Sequence, residues 1–246
     1  MNSTIPTYCS LDSFLQGQLK ISQSRAGYRF SVDALILAYH AVPNKPAEKI
    51  LDIGTGCGIM PLITAFRYPH VHIVGVEIQS ELAALARTNV EENGFQSQIR
   101  ILEGDILHLR AGDVGAPLDM VMTNPPYRKP RSGRINPQSQ RALARHEITV
   151  SLDGLIKAMR RVLRTGGRGW IIYPVERLVE LMTCLRAHHL EPKYMRVLHS
   201  RYGTDGKRCL IKAVKAARPG LIVGPPLVIY NADGRYTKEM VAMLGP

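Results

Sequence analysis

The run Ile50-Leu51-Asp52-Ile53-Gly54-Thr55-Gly56-Cys57-Gly58 constrains this chain more than any other. A short apolar strand enters three glycines at alternate positions, and a helical pattern follows with Ile59, Leu62, Ile63 and Phe66 on one face. Pro61 suits the first turn of that helix. Glycine permits a tight turn and lets a ligand approach the backbone closely. The spacing is Gly-x-Gly-x-Gly, not the Gly-x-Gly-x-x-Gly of dinucleotide enzymes. A strand, a turn and a helix in this order predict a mostly parallel sheet covered by helices on both faces, with ligands at the carboxyl ends of the strands.

The pattern repeats downstream. Val71 to Val76 reads as a second strand and stops at Glu77, where a carboxylate can accept hydrogen bonds from both hydroxyls of a ribose. Glu81 to Asn93 is helical and closes at Gly94. Ile99 to Leu102 is a third strand leading to Gly104-Asp105, and the apolar run from Leu118 to Met122 is a fourth, ending at Thr123. Gly54 to Gly58, Glu77, Asp105 and Asn124-Pro125-Pro126-Tyr127 therefore all fall on one sheet edge.

The Asn124 corner has its own chemistry. Each proline biases the residue before it toward extended geometry and lacks an N–H, so the corner offers carbonyl acceptors with few competing donors. Asn124 adds an amide oxygen, and Tyr127 a flat ring. Two acceptors and a stacking surface suit a planar group bearing an NH2, such as the edge of adenine. A strand-end turn accounts for Asn-Pro taken alone; the glycine turn, the terminal glutamate, Gly-Asp and the corner together carry more weight.

These four pieces resemble the class I S-adenosylmethionine-dependent methyltransferases, in the branch that methylates amino nitrogens. Gly27-Tyr28-Arg29-Phe30-Ser31-Val32-Asp33-Ala34-Leu35, Ala144-Arg145-His146-Glu147 and Pro225-Pro226-Leu227-Val228-Ile229-Tyr230 extend the resemblance to the bacterial tRNA adenine-N6 methyltransferases that modify valine tRNA beside the anticodon. The resemblance implies an α/β, Rossmann-like fold: a mostly parallel seven-stranded sheet with helices on both faces, an antiparallel edge strand and a small N-terminal extension. It implies S-adenosylmethionine as cofactor, with Gly54 and Gly56 under the methionine part and Asp52 toward its ammonium. Glu77 takes the ribose, Ile78 and Ile106 flank the adenine, and Asp105 meets its amino group. Phe30, Ser31 and Asp33 line the methionine end, although a helix capped by Ser31 beside a core phenylalanine accounts for the same residues. Asn124, Pro125 and Tyr127 are the expected catalytic residues, with Asn124 also touching the cofactor. Asn124 Oδ1 and the Pro125 carbonyl would hold the two amino protons, an interaction that strengthens as the nitrogen becomes positive in the transition state.

Charge points to the partner. Thirty-two Lys and Arg against 20 Asp and Glu give a net charge of +12, which favours polyanions. Arg128, Lys129, Arg131, Arg134, Arg141 and Arg145 follow the corner without an acid among them, and Arg128, Lys129, Arg131, Arg134 and Arg145 are the expected RNA contacts. The basic, glycine-rich segment Arg201 to Arg208 reads either as a second RNA contact or as an ordinary exposed hairpin. A glutamine N5-methyltransferase of a translation factor, and a DNA or rRNA adenine-N6 methyltransferase, remain alternatives on the same scaffold. A dehydrogenase fits the glycine turn and Glu77 but explains neither the glycine spacing nor the Asn124 corner.

Cys9, Cys57, Cys184 and Cys209 show neither metal-ligand spacing nor a disulfide framework, and no base accompanies Cys57. His146 and Glu147 are adjacent and so point apart. No metal is expected. The longest apolar runs are too short to cross a bilayer and no signal peptide is visible, so a cytoplasmic protein without a membrane partner is expected. Three segments are expected: 1–43, a hairpin and helix covering the cofactor; 44–218, the methyltransferase domain; and 219–246, a C-terminal extension on the same domain. In the later part Leu152 to Leu163 reads as a helix with Arg160, Arg161 and Arg164 near its end, where cations suit the helix dipole. Lys193 to Ser200 and Arg208 to Val214 read as two final antiparallel strands, and Tyr236 to Leu244 as a closing helix.

Overall fold

A computed structural model describes residues 9–24, 29–125 and 151–245. Tyr127 and the expected RNA contacts Arg128, Lys129, Arg131, Arg134 and Arg145 lie outside the described residues, as do Arg141, His146 and Glu147. A two-stranded hairpin, β1 (Cys9–Phe14) and β2 (Leu19–Ser24), precedes helix α1 (Val32–His40). The main sheet follows. Its strands β3 (Lys49–Ile53), β4 (His72–Glu77), β5 (Ile99–Glu103), β6 (Leu118–Thr123) and β7 (Leu163–Pro174) are parallel. β9 (Gly206–Lys215) runs antiparallel between β7 and β8 (Leu190–Arg201). The order across the sheet is β5-β4-β3-β6-β7-β9-β8. These seven strands are the expected core. The C-terminal segment adds two short strands that sequence reasoning missed, β10 (Ile222–Val223) and β11 (Leu227–Tyr230), both parallel to β8, which makes the sheet nine-stranded.

Strand alternation distributes the core over two faces. Ile50, Met120, Met122 and Ile172 point into one apolar cluster, and Leu51, Ile53, Val121 and Ile171 into the other. A strand buried on both faces has no polar side to show, which is why β6 reads as a continuous apolar run. The first cluster is closed by α1, α2 (Ile59–Arg67) and α3 (Ser80–Glu92), the second by α4 (Leu152–Val162) and α5 (Leu178–Ala187). α6 (Lys238–Leu244) packs against α1 through Met240 and Met243.

Local chemistry sets the helix ends. Gly94, at φ 75°, sends its N–H to the Glu91 carbonyl while Phe95 N–H reaches the Val90 carbonyl, which closes α3 with its orphan carbonyls satisfied. Ser151 Oγ accepts from Gly154 N–H at the start of α4. The end of α4 departs from expectation. Lys215 Nζ, from β9, donates to the Arg160 and Leu163 carbonyls. Arg161 instead reaches the carbonyls of Ile106, Leu107 and Leu109, and Arg164 pairs with Asp119. β7 begins directly after α4, so the carbonyls there are supplied from the neighbouring strand rather than by the helix's own arginines.

β4 and β5 extend to one side of β3, the first strand of this sheet, and β6 to the other. The chain direction therefore switches between β3 and β6, and the crevice outside their carboxyl ends is where a sheet of this order binds ligands.

Candidate active site

The glycine turn is tied to the strand beside it. Gly54 N–H and Thr55 N–H both donate to the Val76 carbonyl, at 2.8 and 3.0 Å. Gly56 N–H donates to Glu77 Oε2 at 2.8 Å, and Gln79 N–H to Glu77 Oε1 at 3.0 Å. Two backbone amides thus orient a carboxylate that is only 5 % exposed, and each of its oxygens keeps a lone pair for another donor. Gly54 is exposed at φ 73°, and a Cβ built on it would meet nothing within 4 Å. Open space at a left-handed position is what a ligand lying against the backbone needs. Ile78, the next residue after Glu77, is 40 % exposed.

Asp52 is fully buried near the end of β3. Its Oδ2 accepts from Thr55 Oγ1 at 2.7 Å, while Oδ1 has no hydrogen-bond partner among the described residues. Burial, reinforced by the Glu77 charge and opposed by the Thr55 hydroxyl, pushes its carboxyl up to about 7. Asp105, after β5, shows a similar imbalance. Its Oδ1 accepts from Leu107 N–H at 2.9 Å, whereas the buried Oδ2 lacks a hydrogen bond. His108 Nδ1 approaches that oxygen at ion-pair distance, 3.3 Å, without hydrogen-bond geometry. Two buried acceptors without donors, on one sheet edge, suit a ligand carrying an ammonium and an amino group. Ile106 is 3 % exposed and belongs to the second core cluster, its carbonyl held by Arg161.

β6 brings the corner to this turn. Ile53 and Thr123 are register partners, and Thr123 Oγ1 donates to the Ile53 carbonyl at 3.0 Å. The residues that follow, Gly54 and Asn124, therefore leave adjacent strand ends. Asn124 and Pro125 are half-buried. The edge therefore gathers Asp52, Gly54, Gly56, Glu77, Ile78, Asp105 and Asn124.

The N-terminal hairpin reaches the same turn through residues that sequence reasoning missed. Asn93 Oδ1 accepts from Lys20 N–H and its Nδ2 donates to the Lys20 carbonyl; Asn89 does the same for Ser22. Four residues of helix rise about 6 Å and two residues of strand about 6.6 Å, so Asn89 in α3 and Asn93 at its C-cap can pair with alternate residues of β2 as a neighbouring strand would. Asn89 Nδ2 also donates to the Cys57 carbonyl in the glycine turn at 2.8 Å. The signal was present in the sequence as asparagines four apart on the inward side of an otherwise apolar helix pattern.

Phe30 packs its ring 5.0 Å from that of Phe14, and its N–H donates to Gln23 Oε1. Ser31 occupies the N-cap position of α1 with no side-chain cap bond to the helix backbone. Asp33 is buried and accepts from Arg208 Nε of β9 at 3.2 Å; burial raises its carboxyl despite that guanidinium. Cys57 is buried and its thiol is pushed up to about 12, mainly by burial, which leaves it inert as a nucleophile at neutral pH.

Asp153, Cys184 and His188 converge at α4 and α5 with ligand atoms within 4.8 Å of one another. Asp153 is already engaged by Lys157 Nζ at 2.8 Å and His188 Nε2 at 2.7 Å, and burial raises the Cys184 thiol. A resident ammonium and a protonated thiol make this an ion-pair network and a poor cation site. Among the described residues no helix is long and apolar enough to cross a membrane.

Known proteins share this architecture. The methyltransferase small domain family matches residues 32–186. A tRNA1(Val) (adenine(37)-N6)-methyltransferase of Porphyromonas gingivalis is 30% identical over 243 residues, covering 96% of this chain and 94% of that protein. Its namesake from Tolumonas auensis is 28% identical over 236 residues, 94% of each chain. The crystal structure of a predicted O-methyltransferase from Agrobacterium tumefaciens superposes with a TM-score of 0.69 at 24% identity, over 86% of this chain and 94% of that one, a likeness of fold.

Proposed function

The chain belongs to the methyltransferase small domain family, and from that premise we propose that it transfers a methyl group from S-adenosylmethionine to the exocyclic N6 amine of an adenine in RNA. Its substrate is tRNA, at an adenine beside the anticodon. The observation that carries the reading is the pairing of β3 and β6 at the switch point, from whose adjacent ends the glycine turn and the Asn124 corner leave. The names of the Porphyromonas and Tolumonas relatives support the substrate. The basic run from Arg128 to Arg145 favours RNA over the amide of a translation factor.

The residues of the edge fit the cofactor by their donor and acceptor needs. Glu77 would take the ribose hydroxyls, Asp52 Oδ1 the ammonium, and Asp105 Oδ2, which lacks a hydrogen bond, the adenine amino group. Gly54 and Gly56 would let the methionine part lie close, and exposed Ile78, with Ile106 beneath, would flank the adenine. Phe30 and Ser31, in the 1–43 segment, would cover the methionine end. The bound cofactor supplies an electrophilic methyl on a sulfonium.

The chain's own task is to prepare the acceptor. An adenine amine is a poor nucleophile because its lone pair is shared with the ring. Asn124 Oδ1 and the Pro125 carbonyl would accept its two protons, freeing the lone pair and stabilising positive charge as it develops. The proton then leaves to water, so no strong base is needed. Tyr127 would stack on the base, and Arg128, Lys129, Arg131, Arg134 and Arg145 would hold the phosphates. In the test, Asn124→Ala and wild type are compared by transfer of labelled methyl into unmodified tRNA, with nucleoside analysis. The variant is expected to bind tRNA within a few-fold of wild type and to lose methyl transfer by about 100-fold or more, the usual effect of removing one such contact. Unchanged transfer refutes the role of Asn124, and label appearing in protein alone refutes the substrate.

A further inference from the structure

Tyr202 is 92 % exposed at the tip of the β8–β9 hairpin. Exposure on that scale usually accompanies a loose loop, but this tip is braced. Thr204 N–H and Thr204 Oγ1 both donate to the Arg201 carbonyl, Arg201 N–H donates to Thr204 Oγ1, and His199 Nδ1 lies 2.6 Å from the Thr204 carbonyl. Gly203, at φ 72°, makes the bend. A rigid turn therefore presents a bare aromatic ring to solvent.

A second aromatic feature stands beside it. β11 pairs with β8 so that Tyr230 is the register partner of Arg201. The Tyr230 ring stacks on Tyr236, with centroids 5.2 Å apart and planes 14° from parallel. The charge around these rings is mixed. Arg208 is committed to Asp33, Arg235 pairs with Asp233 at 3.5 Å, and Asp205 sits on the tip, against which Arg201 and Lys207 are exposed cations. The excess is positive but small, so the attraction this surface can offer is stacking more than charge. Stacking is available only to unpaired bases.

Position connects this surface to the site. β8 and β11 end on the same sheet edge as β6, three and four strands away. At the usual spacing of neighbouring strands that is about 14 and 19 Å across the sheet, and Arg201 and its register partner Tyr230 lie six residues beyond Met195, which the register Thr123–Ile171–Ile211–Met195 sets level with Thr123, so both stand more than about 20 Å from Asn124. We propose that Tyr202, with the Tyr230–Tyr236 stack beside it, is a base-stacking platform for unpaired nucleotides of the RNA loop that carries the target adenine, several residues away from it, and that Arg201 contacts the phosphate between them. The proposal rests on the RNA reading given above and adds where the rest of the loop lies. Aromatic stacking of one base changes affinity by roughly 5- to 150-fold.

The test uses the full chain, a stem–loop RNA carrying the anticodon loop of valine tRNA, and the same stem closed into a continuous duplex. Tyr202→Ala is expected to raise Kd and KM for the stem–loop about tenfold, with kcat at saturating RNA within twofold. Tyr202→Phe, which keeps the ring, stays within twofold of wild type, and both variants bind S-adenosylhomocysteine as wild type does. Tyr202→Ala indistinguishable from a wild type that binds and methylates the stem–loop overturns the platform alone. An equal loss toward the duplex overturns the stacking argument. A wild type that neither binds nor methylates RNA overturns the parent reading and the platform with it.

Discussion

Asp52 makes cofactor binding depend on pH. The group is fully buried and its carboxyl is pushed from 3.8 to about 7, first by burial and then by the Glu77 charge, against the Thr55 hydroxyl. That gap corresponds to about 4 kcal/mol at about 1.4 kcal/mol per tenfold change in proton affinity. The sign follows from the raised value. Without cofactor the folded state holds a proton that the unfolded chain has released, so Asp52's stabilising contribution is complete below about pH 4 and lost as pH rises through 7. An ammonium against Oδ1 reverses the preference and requires the carboxylate. Binding below pH 7 must then expel a proton, and affinity for S-adenosylhomocysteine rises about eightfold between pH 5.5 and 6.5. Calorimetric titration in two buffers of different ionisation enthalpy measures both, and should find close to one proton released per ligand at pH 5.5. Asp52→Asn, neutral at every pH and still able to accept from Thr55, should bind weakly with no such dependence. Its stability should also lack the decline from pH 4 to 7 that wild type shows. A wild-type affinity flat across pH 5.5 to 6.5, with no proton release, refutes the assignment of Asp52 to the ammonium.

How far the sequence revealed this site depends on what kind of signal each part leaves. β3, β4 and β6 are strands buried on both faces, and such strands read directly as apolar runs ending in glycine, acid or asparagine. Their parallel order follows from the helices between them, so the gathering of Asp52, Glu77, Asp105 and Asn124 was legible before any coordinates. β10 and β11 were not. Two exposed residues, Ile222 and Val223, and a four-residue strand after two prolines have too few positions to show a period, and their pairing to β8 is a tertiary choice. The clip made by Asn89 and Asn93 escaped for another reason: asparagine in a helix usually signals a cap or a solvent face. Only the position of β2 turns those amides into hydrogen-bond partners for a strand. Arg161 was assigned to its own helix end by local rules, but its length lets it satisfy three carbonyls after β5 that no backbone donor among the described residues reaches.

Two further predictions concern what holds the site in place. Asn89→Ala removes hydrogen bonds to Ser22 N–H, the Ser22 carbonyl and the Cys57 carbonyl in a buried place; the cost should be about 3 kcal/mol or more in urea denaturation, against about 1 kcal/mol for the more exposed Asn93→Ala. Equal losses would remove the special place given to the link between hairpin and glycine turn. The second concerns Glu48, fully buried just before β3, whose Oε2 accepts from Arg168 Nη2 at 2.6 Å while Oε1 accepts from Asn44 N–H. The Arg168 side chain is itself only 7% exposed, so Glu48→Gln leaves a guanidinium buried without its counter-charge. Breaking such a pair on one side costs about 3–5 kcal/mol, whereas replacing both partners by apolar groups is close to neutral. Glu48→Gln is therefore expected to destabilise strongly, and Glu48→Met with Arg168→Met, apolar at both positions, to recover most of the loss. Because Glu48 precedes β3, at the edge opposite Asn124, kcat of the folded fraction should stay at the wild-type value. A single variant as stable as wild type, or a double variant worse than the single, shows that the pair does not join β7 to the start of β3 as its geometry implies.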